Sequence, residues 1–265
     1  MSNDAIRLDI SDGLGRITMA RPKKHNAFDD GLIADLTDAF EAAAGDKGVR
    51  VVLLAGEGKS FSSGADLGWM QRMADYSDAE NLEDARKLAR MMRVLNELPR
   101  PTIARVQGAA FGGGVGLVAA CDIAIASEAA SFCLSEARLG LIPSVISPYV
   151  VEAIGVRAAR RYFQTAERFN ASEAHALGLV HEVVPRERLD SRLDELVSQL
   201  LANGPQAMAG SKDLIRLVAC DPVDDDMVEA TARRIADIRA TDEGREGVRA
   251  FLEKRRPAWR MTKEV

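Results

Sequence analysis

Residues 106–127 read VQGAAFGGGVGLVAACDIAIAS, and the glycines at 112, 113, 114 and 116 decide how the rest of the chain is read. Thr102–Val106 before them and DIAIA (122–126) after them have the make-up of buried strands, with a short helical run between. Gly114, Gly116 and Ala119 fit the dinucleotide-binding pattern literally, and Glu136 lies 20 residues beyond Gly116. The context excludes that reading: the fingerprint needs a full crossover helix before the next strand, and only about six residues precede DIAIA. Gly58-Lys59-Ser60 resembles the end of a phosphate-binding P-loop, but Leu53 stands where the first glycine is required. The glycines at 112–116 thus serve either a tight turn and close packing or the approach of bare backbone to a ligand. In the second case, first-turn N–H groups without helical partners form an anion site. A second such loop, FSSGADL (61–67), also follows a strand and precedes a helix. Two loops of this kind can jointly offer two N–H donors to one developing oxyanion.

Working outward, residues 5–10 and 14–20 alternate as strands around the hairpin signal Asp12-Gly13. Leu32, Ile33, Leu36 and Phe40 recur at helical spacing and predict a helix over 30–44. VRVVLLAGEG (49–58) reads as a buried strand, and residues 77–98 as a charged amphipathic helix stopped by Pro99 and Pro101. Beyond Pro143 the pattern predicts helices over 148–165, 172–177, 186–202, 206–219, 223–239 and 243–256, interrupted only by a strand at 178–184. A β-rich first half with crossover helices and a helical second half predict one α/β core with a helical C-terminal extension.

The chain has 265 residues, of which 47% are hydrophobic and 28% charged, and this excludes disorder as its main description. A net charge of -5 and a pI of about 5.4 weigh against a broad surface for nucleic acid or anionic membrane, so no nucleic-acid partner is expected. Cys121, Cys133 and Cys220 form neither a disulfide set nor a ligand cluster, which fits a reducing compartment. MSNDAIRLDI lacks the cationic start and apolar centre of a signal peptide. Val106–Cys121 is shorter than the roughly 20 apolar residues that cross a bilayer. A soluble, cytoplasmic protein without a membrane partner is expected. His25, His175 and His181 have no metal-ligand spacing, so no metal is expected, and no nucleophile elbow is present.

RPKKHNAF (21–28), FSSGADL, VQGAAFGGGVGL, CDIAIAS (121–127), FCLSEARLGLIP (132–143) and AFLEKRRPAW (250–259) together resemble the successive signatures of the enoyl-CoA hydratase/isomerase, or crotonase, superfamily. AAF before the glycines and LIPSVISPYVV after Glu136 most resemble bacterial methylglutaconyl-CoA hydratase-like members. The resemblance implies an α/β fold: a spiral of ββα units over 1–200, with two roughly perpendicular sheets. A C-terminal helical trimerisation region of the same domain would follow over 201–265, giving a homotrimer or dimer of trimers. It also implies an acyl-CoA thioester as substrate, with no cofactor.

Carried over position by position, the resemblance makes the backbone N–H groups of Ala65 and Gly113 the oxyanion hole. Ser63, Ala65, Asp66, Leu67, Gly68, Gly112, Gly113, Ser135 and Ser144 would line the substrate. Lys23, Lys24 and His25 would pass the phosphates and ribose, and Phe251 and Lys254 would reach CoA, often from a neighbouring subunit. Glu136 is the candidate general acid/base. Family hydratases usually hold water between two glutamates, but the second position here is Gly116, three residues after Gly113 on the same helix face.

Three functions follow from this pattern. A lyase would add water to a branched or glutaconyl-type α,β-unsaturated acyl-CoA, a distal substrate carboxylate filling the space vacated beside Gly116. An isomerase would move a 3-enoyl double bond to the 2-position with one glutamate. A non-catalytic relative would bind acyl-CoA or RNA, although the acidic balance and the absence of a dense Lys/Arg stripe count against RNA.

Overall fold

Asp12 and Gly13 have φ of 49° and 85°, the left-handed pair that a two-residue type I′ turn needs. They fold β1 (Ile6–Ser11) back onto β2 (Leu14–Met19). The structure, a computed structural model, describes residues 5–219 and 221–260. Cys220 and the ends at 1–4 and 261–265, with part of the N-terminal stretch read above, lie outside the described residues. Next come α1 (Asp30–Gly45), β3 (Val51–Gly56), β4 (Ser60–Ser62), α2 (Leu67–Met73) and α3 (Asp78–Asn96). β5 (Thr102–Val106), β6 (Ala109–Phe111), α4 (Gly113–Ala120), β7 (Ile123–Ser127) and β8 (Ser131–Cys133) repeat the pattern. α5 (Ser147–Thr165), β9 (Arg168–Asn170), α6 (Ala171–Ala176) and β10 (Glu182–Val184) complete the sheets. The chain then runs through α7 (Leu189–Leu201), α8 (Pro205–Val218), α9 (Asp225–Ala240) and α10 (Asp242–Leu252).

Six strands form one sheet in the order β1-β2-β3-β5-β7-β10, and four form another in the order β4-β6-β8-β9. Only β1–β2 and β8–β9 are antiparallel. The pairs β3/β4, β5/β6 and β7/β8 each place one strand in either sheet, so the chain turns a corner between sheets and a helix carries it back. This is the mixed α/β spiral that the family resemblance implies. β3 is buried along its whole length, as an unbroken apolar run predicts for a strand covered on both faces. Val52 and Leu54 enter the main core with Leu36 and Phe40 of α1, while Val51 and Leu53 enter a second core closed by Leu189, Leu193 and Val197 of α7.

Buried carbonyls flank the corners and each needs a donor, while Gly58, Lys59, Glu128 and Ala129 at the bends themselves are exposed. Asn26, wholly buried, donates from Nδ2 to the carbonyls of Glu57 (3.0 Å), Ser60 (3.0 Å) and Phe61 (3.1 Å). Buried Gln107 donates from Nε2 to the carbonyls of Gly56 (2.7 Å) and Ser60 (3.0 Å). Ser127 then donates its hydroxyl to the Gln107 carbonyl at 3.0 Å. Buried polar side chains thus tie each corner to the next. Arg50 fastens the C-terminal helices to this core by donating to the carbonyls of Leu201, Asn203 and Trp259. No helix among the described residues is long and apolar enough to cross a membrane.

The structure departs from the periodicity at four places. The second sheet is built from three-residue strands, too short to leave an alternation in the sequence. Of the strand expected at 178–184, only Glu182–Val184 pairs with β7, because Gly178 caps α6 with φ 88°. The run 186–202 opens as a 3-10 turn at Arg186–Arg188 before α7 begins. Within α5, Gly155 has φ 73° and ψ 158° and breaks what the pattern reads as one helix.

Asn26→Asp keeps the side chain's shape but turns a carboxylate oxygen toward three carbonyls. Unsatisfied buried groups cost about 1–3 kcal/mol each, so the variant's urea midpoint should fall by the equivalent of roughly 3 kcal/mol. An unchanged midpoint would mean that the corner carbonyls find donors elsewhere.

Candidate active site

β4, β6 and β8 lie side by side and parallel, so their C-terminal ends share one edge of the second sheet. Ligands of open α/β sheets sit beyond such ends. The loop leaving each strand carries one residue singled out above: Ala65 three residues after Ser62, Gly113 two after Phe111, and Glu136 three after Cys133. Adjacent strands are about 4.8 Å apart, and that spacing gathers positions that are far apart in the sequence.

Phe28 sets the direction of the first amide. Its N–H donates to the Gly64 carbonyl and its carbonyl accepts from the Asp66 N–H, both at 2.7 Å, in a parallel bridge opposite Ala65. Ala65 therefore turns its own N–H away from Phe28, and that N–H has no acceptor among the described residues. Gly113 is the first residue of α4, where an N–H has no partner within the helix. It too has no acceptor among the described residues.

Gly112 has φ 50° and ψ -118°, a conformation closed to residues with a side chain. A methyl there would lie 3.1 Å from Glu136 Oε1, so the bare backbone is what lets the carboxyl come close. Glu136 opens a 3-10 turn, Glu136–Leu139, and its Oε2 is buried without a partner. Loss of water pushes the carboxyl above the ordinary glutamate range, and its own backbone N–H offsets this only in part. An acid whose pKa is raised by burial in a cleft, beside two free N–H groups, suits proton transfer at a carbon next to a carbonyl.

These groups line a cavity of about 710 Å³ together with Ser63, Gly112, Ser135 and Ser144. Trp69, Met70 and Met73 of α2 and Asn81, Asp84 and Leu88 of α3 supply another wall. A second cavity, of about 540 Å³, lies beneath α8. It holds neither N–H group nor Glu136; of its four charged lining residues, Asp122, Glu152, Lys212 and Arg216, Lys212 Nζ pairs with Asp122 at 2.9 Å.

The remaining candidates lie outside the lining of the larger cavity. Lys23, Lys24 and His25 occupy an exposed turn after β2. Lys24 pairs with Asp66 at 2.9 Å and holds its carboxyl below the usual range, while Asp66 caps α2 through the N–H groups of Gly68 and Trp69. His25 faces Ser60 Oγ at 3.1 Å. Leu67 is exposed at the start of α2. Phe251 and Lys254, at the end of α10, do not line the cavity of this chain. His181 Nδ1 accepts from the Ala124 N–H and His175 Nδ1 faces the Val180 carbonyl, so both serve the backbone.

One expectation is overturned. A methyl at Gly116 would lie 2.2 Å from Ile146 Cγ2 and 3.0 Å from Met92 Cε. The side of α4 at Gly116 is thus packed against Ile146 and Met92, and the space expected there for a distal substrate carboxylate is taken by apolar side chains. Ile146 arrives from the loop after Glu136, a contact that no local pattern reveals. The roles of Phe28 and Asn26 also escape a reading by residue chemistry, although both stand in the RPKKHNAF stretch.

A family model described as enoyl-CoA hydratase/isomerase matches residues 9–262. The chain is 50% identical to a Legionella pneumophila structure provisionally described as an enoyl-CoA hydratase/isomerase (crotonase), with a TM-score of 0.92 over 96% of this chain and 98% of that one. It is 45% identical to an enoyl-CoA hydratase structure from Shewanella pealeana, with a TM-score of 0.94 over 96% of each chain. It is 37% identical to the enoyl-CoA hydratase ACTT6 of Alternaria alternata, over 77% of this chain and 67% of that one. The edge of parallel strands carrying two free amides and one buried carboxyl thus belongs to a crotonase-type fold. The chain is a member of the enoyl-CoA hydratase/isomerase family.

Gly116→Glu would restore the usual second carboxylate only by forcing Ile146 and Met92 aside. Overpacking of this kind costs about 1–3 kcal/mol, and burial of the new charge adds to it. A lowered melting temperature is expected, with partial recovery in Gly116→Glu/Ile146→Ala. A Gly116→Glu single variant as stable as wild type would show that the site has room for the second acid.

Proposed function

We propose that this chain is an enoyl-CoA hydratase-type lyase that adds water reversibly across the C2–C3 double bond of an α,β-unsaturated acyl-CoA. The observation that carries this reading is Glu136, a half-buried glutamate whose Oε2 is buried without a partner, set beside the free N–H groups of Ala65 and Gly113. With the thioester oxygen on those two donors, negative charge that develops as C3 is attacked falls where the donors point, one of them on a helix N-terminus. Glu136, ionised, takes a proton from the water that bonds to C3. It then returns that proton to C2, so the carboxylate is regenerated each cycle. Ser135 and Ser144 border the same cavity and offer hydroxyls to hold the water. The relatives described as hydratases support the reading.

The apolar filling beside Gly116 favours a second reading, isomerisation of a 3-enoyl-CoA. A shuttle from C4 to C2 needs one base and no activated water. The two reactions separate by product mass, since hydration adds one water and isomerisation adds nothing.

Among the described residues no Lys, Arg or His lines the cavity. Of the branched and glutaconyl-type acyl groups suggested by the sequence, we therefore favour the branched, uncharged kind. We assign residues 201–265 to self-association as a trimer or dimer of trimers, since Ile215, Val228, Ile235, Val248 and Phe251 of α8–α10 are exposed in the single chain. Phe251 and Lys254 would then reach CoA on a neighbouring copy, with Lys23, Lys24 and His25 near its phosphates. The buried thiols of Cys121 and Cys133 agree with a reducing, cytoplasmic setting.

Glu136→Gln should lower turnover about 10²–10⁴-fold while acyl-CoA binding persists. Turnover near wild type would overturn the assignment of Glu136. In the wild type, hydration should fall as the pH drops through the raised pKa of Glu136, above the range of an ordinary glutamate. The same shift fixes the sign of a stability effect. A raised pKa favours the protonated fold, so the stabilising contribution is present in acid and is lost as pH rises through that pKa. Glu136→Gln should therefore melt higher than wild type near neutral pH and alike in acid; lower melting at neutral pH would contradict it.

A further inference from the structure

Two charged side chains line the larger cavity among the described residues, Glu136 and Asp84. Proton transfer uses the first and has no part for the second. Asp84 stands on α3, half-buried, and its Oδ1 accepts from Trp69 Nε1 at 3.3 Å. Trp69 is buried, so ring and carboxyl form a fixed piece of wall. Burial and the neighbouring Asp30 raise the Asp84 pKa, and Trp69, Lys87 and Arg72 oppose them. Asn81, one helical turn earlier on the same face, gives its Nδ2 to the Tyr76 carbonyl at 3.1 Å, which leaves its side-chain oxygen as an acceptor. Met70, Met73 and Leu88 line the same cavity.

This wall therefore combines apolar surface with the side-chain acceptors of Asp84 and Asn81. Its side-chain donors, Trp69 Nε1 and Asn81 Nδ2, already give bonds to Asp84 and to the Tyr76 carbonyl. An alkyl chain ending in a carboxylate would meet Asp84 and Glu136 with no cation in the lining, and like charges in a restricted dielectric repel. A chain carrying a hydroxyl or an amine would donate to Asp84 or Asn81 and lay its methylenes on the methionines. Rejection and attraction act together in such a site.

We propose that the α2–α3 wall, through Asp84, selects acyl chains that carry a hydrogen-bond donor on an otherwise apolar tail and excludes those that end in a carboxylate. The proposal rests on the cavity being an acyl-CoA site, as argued above. It adds a class of acyl group that neither the family nor the relatives' descriptions specify.

The test uses four 2-enoyl-CoA series of matched chain length, ending in methyl, hydroxyl, ammonium or carboxylate. Turnover by wild type and Asp84→Asn is measured for each. Asparagine keeps an acceptor for Trp69 and removes the charge. At the preferred length, wild-type kcat/KM for the hydroxyl or ammonium chain should exceed that for the carboxylate chain by at least about tenfold. Asp84→Asn should shrink that ratio by about tenfold. The ammonium arm distinguishes attraction to charge from a simple hydrogen bond. A wild-type preference for the carboxylate chain, or a ratio untouched by Asp84→Asn, would overturn the proposal. If none of the thioesters is turned over, the functional reading fails separately, and calorimetric binding of the same four series to Glu136→Gln still reports the wall's preference. Equal affinities there would reject it.

Discussion

Each turn of this spiral bends the chain from one sheet to the other, and the buried carbonyls that flank those bends, such as those of Gly56, Ser60 and Phe61, need donors from within the protein. Asn26, Gln107 and Ser127 meet that demand in sequence, each donating to the backbone of an adjacent corner. Immediately past each corner comes a three-residue strand, and past each strand a residue of the site. The accuracy of the site is thus inherited from the corners: if the parallel strands β4, β6 and β8 are in register, the amides of Ala65 and Gly113 and the carboxyl of Glu136 have only one place to be. Burying amide side chains costs desolvation that their bonds must offset; Gln107 Oε1 remains without a partner, and the bonds that are made double as the alignment of the site.

The site itself is built by omission. Bare backbone at Gly112 admits the Glu136 carboxyl, and the bridge to Phe28 leaves the Ala65 N–H unused. The carboxyl in turn lacks a partner for Oε2. A folded protein tolerates such unsatisfied groups where a ligand will meet them. With the position beside Gly116 filled by Ile146 and Met92, Glu136 is the carboxyl that stands beside the two amides among the described residues.

Much of this was legible from residue order. Asp12-Gly13 announces the hairpin, 49–58 reads as a buried strand, and the charged helix stopped by Pro99 and Pro101 is α3. The glycine loops announce free amides, and the family resemblance singles out Glu136 as the acid. What stayed hidden depends on contacts between distant segments. β4, β6, β8 and β9 exist because neighbouring turns stack, and three residues carry no period of their own. Ile146 reaches Gly116 from another loop, so the space that the missing glutamate seemed to leave is closed. Asp84 sits in a charged amphipathic helix, where periodicity reads it as one more solvated acid; only Trp69 and the cavity distinguish it from its neighbours. The cationic turn at Lys23–His25 shows the converse, since Lys24 is engaged by Asp66.

In the proposed reaction, two backbone amides and the half-buried Glu136, aligned by the corners, form a single thioester-enolate site. A crystal structure with butyryl-CoA, a saturated thioester that cannot be hydrated, tests this arrangement. The thioester oxygen should lie within about 3.2 Å of both the Ala65 and Gly113 nitrogens, with a Glu136 oxygen roughly 3–3.5 Å from C2. A thioester oxygen held by other donors, or an acyl chain seated beneath α8 instead, would contradict it.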